Sequence, residues 1–243
     1  MCLLASQGYR TGVVDITRGE LGSRGTPELR EEEAAAASHI MGLAVRENLA
    51  LPDGNIENTR DNQLKVIRAV RRYRPHICLV GSLECRHPDH GAAARLAIDS
   101  LFYAGLRKIE TRDDLAGGIG EASEDAPAGG DPQEPWRPHH VSHYMQAVEW
   151  QPTLVVDVTS VWDRRIKAMK AFKSQFYNPE YEASEAEPET FVSNEGFFKW
   201  IEARARAYGY KVDAEFGEPF FYRHGPFGAT DLMKVFGRDK RFR

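Results

Sequence analysis

The sequence predicts an α/β fold, a mostly parallel sheet with helices on both faces. Three observations predict it. Strand-like and helix-like segments alternate through the first half of the chain, as βαβ units do. Residues 77–80 (ICLV) form a short continuous apolar run, the pattern of a parallel strand covered on both faces. Two loops dense in chemistry, at 18–25 and 84–91, follow strand-like segments, where sheets of this class place their sites.

In order along the chain, residues 1–7 read as the end of a helix with Gly8 as its stop. Residues 11–17 (TGVVDIT) read as a short buried strand, and RGELGSRGT after it as a loop too polar for a core. Thr26 and Pro27 mark a helix start, Thr as N-cap and Pro at the first helical position. Glu28 and the glutamates at 31–33 supply the negative charge that a helix N-terminus favours, and the helix is expected to run to about Asn48. LPDG at 51–54 is a turn, and a second helix is expected over 58–73, before Pro75. After the strand at 77–80, a helix over 92–104 is closed by Gly105. Strands are expected at 141–150 and 154–158. Helices are expected at 162–176 and 196–208, the last with Gly209 after it. The stretch 113–135, rich in Gly, Ala, Pro and acids, and the acidic stretch 178–190 read as flexible surface loops of one domain spanning 1–243.

The bulk properties exclude several function classes. With 243 residues, 42% of them hydrophobic, the chain is long enough for a large globular domain with a real core. A net charge of -4 provides no global attraction to nucleic acid or to an anionic membrane, so neither is expected as a partner. No apolar run approaches the roughly 20 residues of a membrane span. The opening MCLLASQGYR lacks the basic and long apolar regions of a signal peptide. Cys2, Cys78 and Cys85 suit neither a disulfide framework nor a zinc ribbon, and a reducing cytoplasm is their simplest home.

The most informative segment is Arg86-His87-Pro88-Asp89-His90-Gly91, with two histidines and a carboxylate within four residues after a buried strand. Histidine is the usual zinc ligand, and a carboxylate often holds its ring through the second nitrogen. The same residues also read as a polar turn in which Pro88 and Asp89 start a helix and the imidazoles are solvated. By spacing alone H-x-x-H offers too few ligands for a closed zinc site.

A wider pattern bears on that choice. DITRGELGSRGTPELREEE, NLALPDG, RPHICLV, RHPDHGAA, WRPHHVSHYMQ, VVDVT and SQFYNP follow one another in an order and spacing that resemble the LmbE/PIG-L-like deacetylase superfamily. Within it, the pattern is most similar to the N-acetylglucosaminyl-malate deacetylases of bacillithiol synthesis. The resemblance implies a Rossmann-like three-layer α/β/α fold and zinc, or another divalent metal, as cofactor. It also implies hydrolysis of the acetamide of a small N-acetylglucosaminide by a homo-oligomer. On this resemblance His90 is a metal ligand and His87 the histidine near the reacting carbonyl. Asp89 is the acidic partner that orients it, and Arg30 belongs to the substrate pocket. The family's HPDD-type loop, which brings the other ligands and the general base, is absent upstream of His87. The resemblance therefore implies an N-terminally truncated domain that lacks its first strand, with a half-built metal site and little or no turnover. Two alternatives stay open: deacetylation of another N-acetylglucosaminide, and a non-catalytic homologue serving binding or assembly.

Other residues carry paired readings. Arg24, in the first site-facing loop, suits a bidentate grip on a substrate carboxylate or plain loop solubility. Arg18 and Glu20 share that loop with a weaker case. His139, His140 and His143 form a second cluster, and alternation puts His139 and His143 on one strand face, as in a polar sheet edge or an oligomer contact. Tyr144 and Gln146 are strand positions. Cys85 has no base partner in sequence, and a catalytic thiol is not expected.

Overall fold

A computed structural model describes residues 1–111, 131–143 and 152–222. A short helix α1 (Cys2–Ser6) leads into β1 (Gly12–Asp15), helix α2 (Pro27–Met41) and β2 (Val45–Asn48). Helix α3 (Arg60–Tyr73), β3 (Ile77–Gly81) and helix α4 (Pro88–Ala104) complete the first half. Then come β4 (His139–His143), β5 (Leu154–Asp157), a 3-10 turn (Thr159–Val161), α5 (Trp162–Lys170), α6 (Gly196–Tyr210) and β6 (Gly217–Phe221).

The fold is mixed α/β, as expected, but its strands form two sheets. One is the parallel pair β1-β2, and the other has the order β3-β4-β6-β5. β3 and β4 run parallel, whereas β6 is antiparallel to both its neighbours, so the larger sheet is mixed. β6 carries no signal in the sequence. It follows directly on α6, and Gly217 lets it lie against that helix: a Cβ there would meet Gly209 N at 2.6 Å. Gly209 is for the same reason an internal helix residue and not the stop expected of it.

The helix expected to reach Asn48 ends at Met41. Gly42 takes the left-handed conformation at φ 70°, and residues 45–48 leave as β2. Arg46 then binds both carboxylate oxygens of Asp15 across the pair, at 2.7 and 3.0 Å. The expectation that β3 is covered on both faces does not hold. Its burial alternates instead, with Ile77 56% and Leu79 38% exposed while Cys78 and Val80 pack inward. Among the described residues β1 and β3 also pair on one side only. β4 lies between β3 and β6, but β6 pairs only with Ser142 and His143, so His143 is interior to the sheet while His139 and His140 pair with β3 alone. α5 stops at Lys170, short of the expected 176. Most of the loop expected at 113–135 and of the strand expected at 141–150, with Tyr144 and Gln146, lies outside the described residues.

Two apolar clusters hold the elements. In one, Leu49 and Leu51 after β2 meet Val66, Ile67 and Val70 of α3 and Leu96 and Leu101 of α4. In the other, Trp162 of α5 stacks on Phe216 at 4.2 Å beside Phe197 and Ile201 of α6. Arg71 is fully buried between α3 and α4. Its guanidinium donates to the carbonyls of Ala104, Leu106 and Ile109 at 3.0, 2.9 and 2.7 Å, joining the backbone donors Trp136 N on Ala104 O and Ile109 N on Leu106 O at and just beyond the end of α4. Arg71→Met is expected to lower stability by about 3 kcal/mol in a urea titration, because those carbonyls lose their charged donor. A loss under about 0.5 kcal/mol would mean that water replaces the guanidinium at no cost.

Candidate functional site

The helix α4 begins at Pro88, with His87 in the N-cap position, four residues before the 92–104 span and as in the reading in which Pro88 and Asp89 start a helix. His87, Asp89 and His90 therefore belong to a helix N-terminus and not to a free loop. The entry is tight: a Cβ on Gly91 would meet Leu83 O at 2.9 Å, so the 82–85 segment lies directly on the first turn. The imidazoles of His87 and His90 stack at 4.8 Å, with 24° between their planes. Burial pushes the His90 pKa below its ordinary 6.5, and the neighbouring His87 and Arg86 push the same way against a weaker opposite pull from Asp89. His90 is thus a neutral imidazole near pH 7. Its Nδ1 lies 3.1 Å from Cys85 Sγ, so Cys85 has the ring partner that its sequence position does not reveal.

Asp89 is buried, and its carboxylate accepts from the backbone N–H of Gly54 at 2.7 Å. Neither imidazole hydrogen-bonds to it among the described residues; it fastens α4 to the 51–54 turn. That turn is tied onward. Asp53 accepts from Leu21 N at 3.0 Å and from Thr17 Oγ1 at 3.2 Å, and Glu20 accepts from Asp53 N at 3.0 Å. In this way the loop at 18–25 is brought up to the α4 N-terminus.

Arg30 lies on the first turn of α2 beneath that loop. Its Nη2 donates to Arg24 O at 2.8 Å, while its Nε is buried without a hydrogen-bond partner. Gly22 is required here, since a Cβ would fall inside the Arg30 guanidinium. Burial lowers the Arg30 pKa, opposed by Glu33, Asp53 and Tyr181, and the group stays a cation at any ordinary pH. Arg24 is largely committed to structure: Nε donates to Ser174 O at 2.9 Å, and its guanidinium lies 5.1 Å over the Tyr181 ring. Arg18 pairs at 3.8 and 3.7 Å with Glu28 and Glu31, at exposed positions where such pairs are weak.

The stretch 178–190, expected to be flexible, is fastened instead to the 18–25 loop. Glu187 accepts from Gly25 N at 2.6 Å, Ser184 N at 2.9 Å and the Tyr181 hydroxyl at 3.0 Å. Backbone donors at Gly25 and Ser184 are the main reason its pKa is lowered. At the start of this stretch, buried Glu33 accepts from Ser174 N and Oγ at 2.6 and 2.8 Å. At its end, the guanidinium of Arg86, next in sequence to His87, lies 5.4 Å over the Phe191 ring. Glu33, Asp53, Ser174, Tyr181 and Glu187 carry no site signal in the sequence, because their partners lie up to 162 residues away.

Among the described residues, no group of three or more His, Cys, Asp or Glu side chains converges as metal ligands do. His90, neutral and exposed, has the chemistry of a single ligand, and a zinc site takes three or four. The described residues by themselves do not compose a metal site. His139, in β4, is exposed and joins none. No helix among the described residues is long and apolar enough to cross a membrane.

The chain is similar in sequence and fold to several known proteins. The family described as PIG-L, GlcNAc-PI de-N-acetylase, matches residues 1–101. The solved structure of the conserved protein TT1542 from Thermus thermophilus is 31% identical. It superposes with a TM-score of 0.73 over 94% of this chain and 88% of that one. The 4-oxalmesaconate hydratase of Pseudomonas putida is 27% identical over 194 residues, 74% of this chain and 69% of its own length. The diacetylchitobiose deacetylase of Thermococcus kodakarensis is 27% identical over 172 residues, 68% of this chain and 56% of its own length.

The packing around the histidine turn and the arginine loop can be tested separately. In a proton NMR titration the His90 ring is expected to titrate below 6.5. The unfolded chain then takes up the proton first, so the His90 contribution to stability is complete above about 6.5 and declines as pH falls toward the folded value. A midpoint at or above 6.5 would contradict the partly desolvated setting beside His87 and Arg86. Gly22→Ala is expected to cost about 1–3 kcal/mol in a denaturant titration by displacing Arg30, and an unchanged midpoint would show that the guanidinium moves freely.

Proposed function

We propose, for a chain that belongs to the PIG-L/LmbE-like deacetylase superfamily, the hydrolysis of the N-acetyl group of a small N-acetylglucosaminide. N-acetylglucosaminyl-malate is the substrate that the sequence motifs favour. The observation that carries the reading is the His87-Asp89-His90 turn at the start of α4, tied through Gly54 and Asp53 to the loop over Arg30.

In this reading water adds to the acetamide carbon, the C–N bond breaks, and acetate and a free amine leave. His87 donates a hydrogen bond to the oxygen that gains charge, aided by the positive end of the 17-residue helix α4. Neutral His90 presents its Nε2 to the reacting centre, since Cys85 stands at Nδ1. Asp89 keeps both rings in place through the backbone of the first turn, by way of Gly54. Arg30, a cation with an unpartnered Nε, offers a grip for a carboxylate on the sugar's aglycone, and the free side of Arg24 adds to the local positive charge. Zinc or another divalent ion enters as the cofactor that members of this family typically use, with His90 as a ligand. The remaining ligands are not among the described residues, and no step is assigned to the ion. A homo-oligomer in a cytoplasmic setting, with no nucleic acid or membrane partner, belongs to the same proposal.

The hydratase relative favours a second reading, addition of water to the C=C bond of an unsaturated carboxylic acid, in which Arg30 would hold a carboxylate in the same way. One pair of assays separates them. Acetate release from N-acetylglucosaminyl-malate, with added zinc, is expected to be weak for the wild type, whose described residues supply His90 alone as a ligand, and to be lost in His87→Ala and His90→Ala. Loss of the ultraviolet absorbance of a conjugated enoic diacid, without acetate release, would replace the deacetylase with a hydratase. Silence in both assays would leave a non-catalytic binding protein.

A further inference from the structure

The acidic stretch before α6 takes no part in the reaction outlined above, yet more polar contacts converge on it than on the histidine turn. Its carboxylate Glu187 gathers Gly25 N, Ser184 N and the Tyr181 hydroxyl. Two of these donors come from its own stretch and close it into a compact turn. The third, Gly25, belongs to the loop that covers Arg30. Around this bond, Arg24 donates to Ser174 O at 2.9 Å and Pro188 O at 3.4 Å while lying over the Tyr181 ring. Arg30 in turn holds Arg24 O. The far end reaches the histidine turn through Arg86 and Phe191. Residues 174–191 thus span from the arginine loop to the α4 N-terminus, as a fourth side beside the 18–25, 51–54 and 84–90 segments.

We propose that Glu187 is a positioning residue that sets how the site grips the group attached to the sugar, by latching residues 174–191 over Arg24 and Arg30. The proposal rests on the deacetylase reading. Glu187 does not touch substrate. It acts by fixing the Gly25 backbone, on which the placement of Arg24 and its carbonyl depends, and Arg30 donates to that same carbonyl. A carboxylate-bearing aglycone meets those arginines, whereas the N-acetylglucosamine ring alone does not. The latch therefore governs discrimination between the two, and a general loosening of the fold would weaken both alike.

The test uses the full chain with Glu187→Ala and Glu187→Gln, and calorimetric titration with N-acetylglucosaminyl-malate and with N-acetylglucosamine. Hydrogen exchange of the Gly25 and Ser184 amides reports the latch directly. Glu187→Ala is expected to release both amides to fast exchange. It is also expected to weaken the malate-linked ligand at least about tenfold relative to N-acetylglucosamine, the scale of one charge-assisted hydrogen-bond system. Glu187→Gln keeps one acceptor oxygen, for the Gly25 amide, and turns a donor NH2 toward Ser184 N, so it is expected to protect Gly25 from exchange and to restore that preference in part. Equal weakening of both ligands, or unchanged exchange at Gly25, would overturn the proposal. Wild-type protein that binds neither ligand would sink the substrate reading and leave the latch to be decided by the exchange rates.

Discussion

The guanidinium of Arg71 holds one end of the helix whose other end carries the histidine turn. Buried between α3 and α4, it donates to three carbonyls from the end of α4 and the segment just beyond. A helix leaves its last carbonyls without internal partners, and burying them unpaired costs as much as losing several hydrogen bonds. One planar cation with five donors helps to meet that demand in a single rigid fork. The direction of α4, and with it the position of His87 and His90, follows from this anchor together with the apolar contacts of Leu96 and Leu101.

The site end is assembled by a different device, used repeatedly. Asp89 accepts the N–H of Gly54, Asp53 accepts that of Leu21, and Glu187 accepts that of Gly25. In each case a carboxylate from one loop or helix start takes a backbone donor from another segment. Charge-assisted bonds to backbone fix the path of a loop more firmly than bonds between two mobile side chains, and they need no particular residue on the donor side except room to approach. Glycine supplies that room at Gly25 and Gly54, both with positive φ, where a side chain would bring backbone strain. The result is a set of loops held around Arg30 and the histidine pair, with little regular structure among them.

Much of this is legible one segment at a time. Thr26-Pro27 starts α2 as its capping chemistry requires, and the Thr26 hydroxyl does accept from Leu29 N. The 77–80 run is a strand in parallel pairing with β4. What misleads is local propensity without its tertiary context. Residues 43–48 read as helix, yet Gly42 turns left-handed and Arg46 finds Asp15 across a strand pair. Gly209 reads as a stop, yet β6 needs its bare backbone inside the helix. The acidic stretch at 178–190 reads as loose because its charges have no neighbours in sequence, and Glu187 finds Gly25 only after the chain has folded back.

By itself the sequence determined the mixed α/β class of the fold, most of the helix starts and the HPDH turn, because these depend on residue type and short spacing. Capping, periodicity and close-set imidazoles all act within a few residues. Only the tertiary structure decided that Asp89 binds Gly54 and not an imidazole, that Cys85 meets His90, that the strands divide into two sheets, and that residues 174–191 close over the arginines. Each of those depends on which distant donor reaches a carboxylate, a thiol or a strand edge first. That is set by the packing of α3 against α4, of α2 against α5 and of α6 against β6, and no local pattern in the chain encodes it.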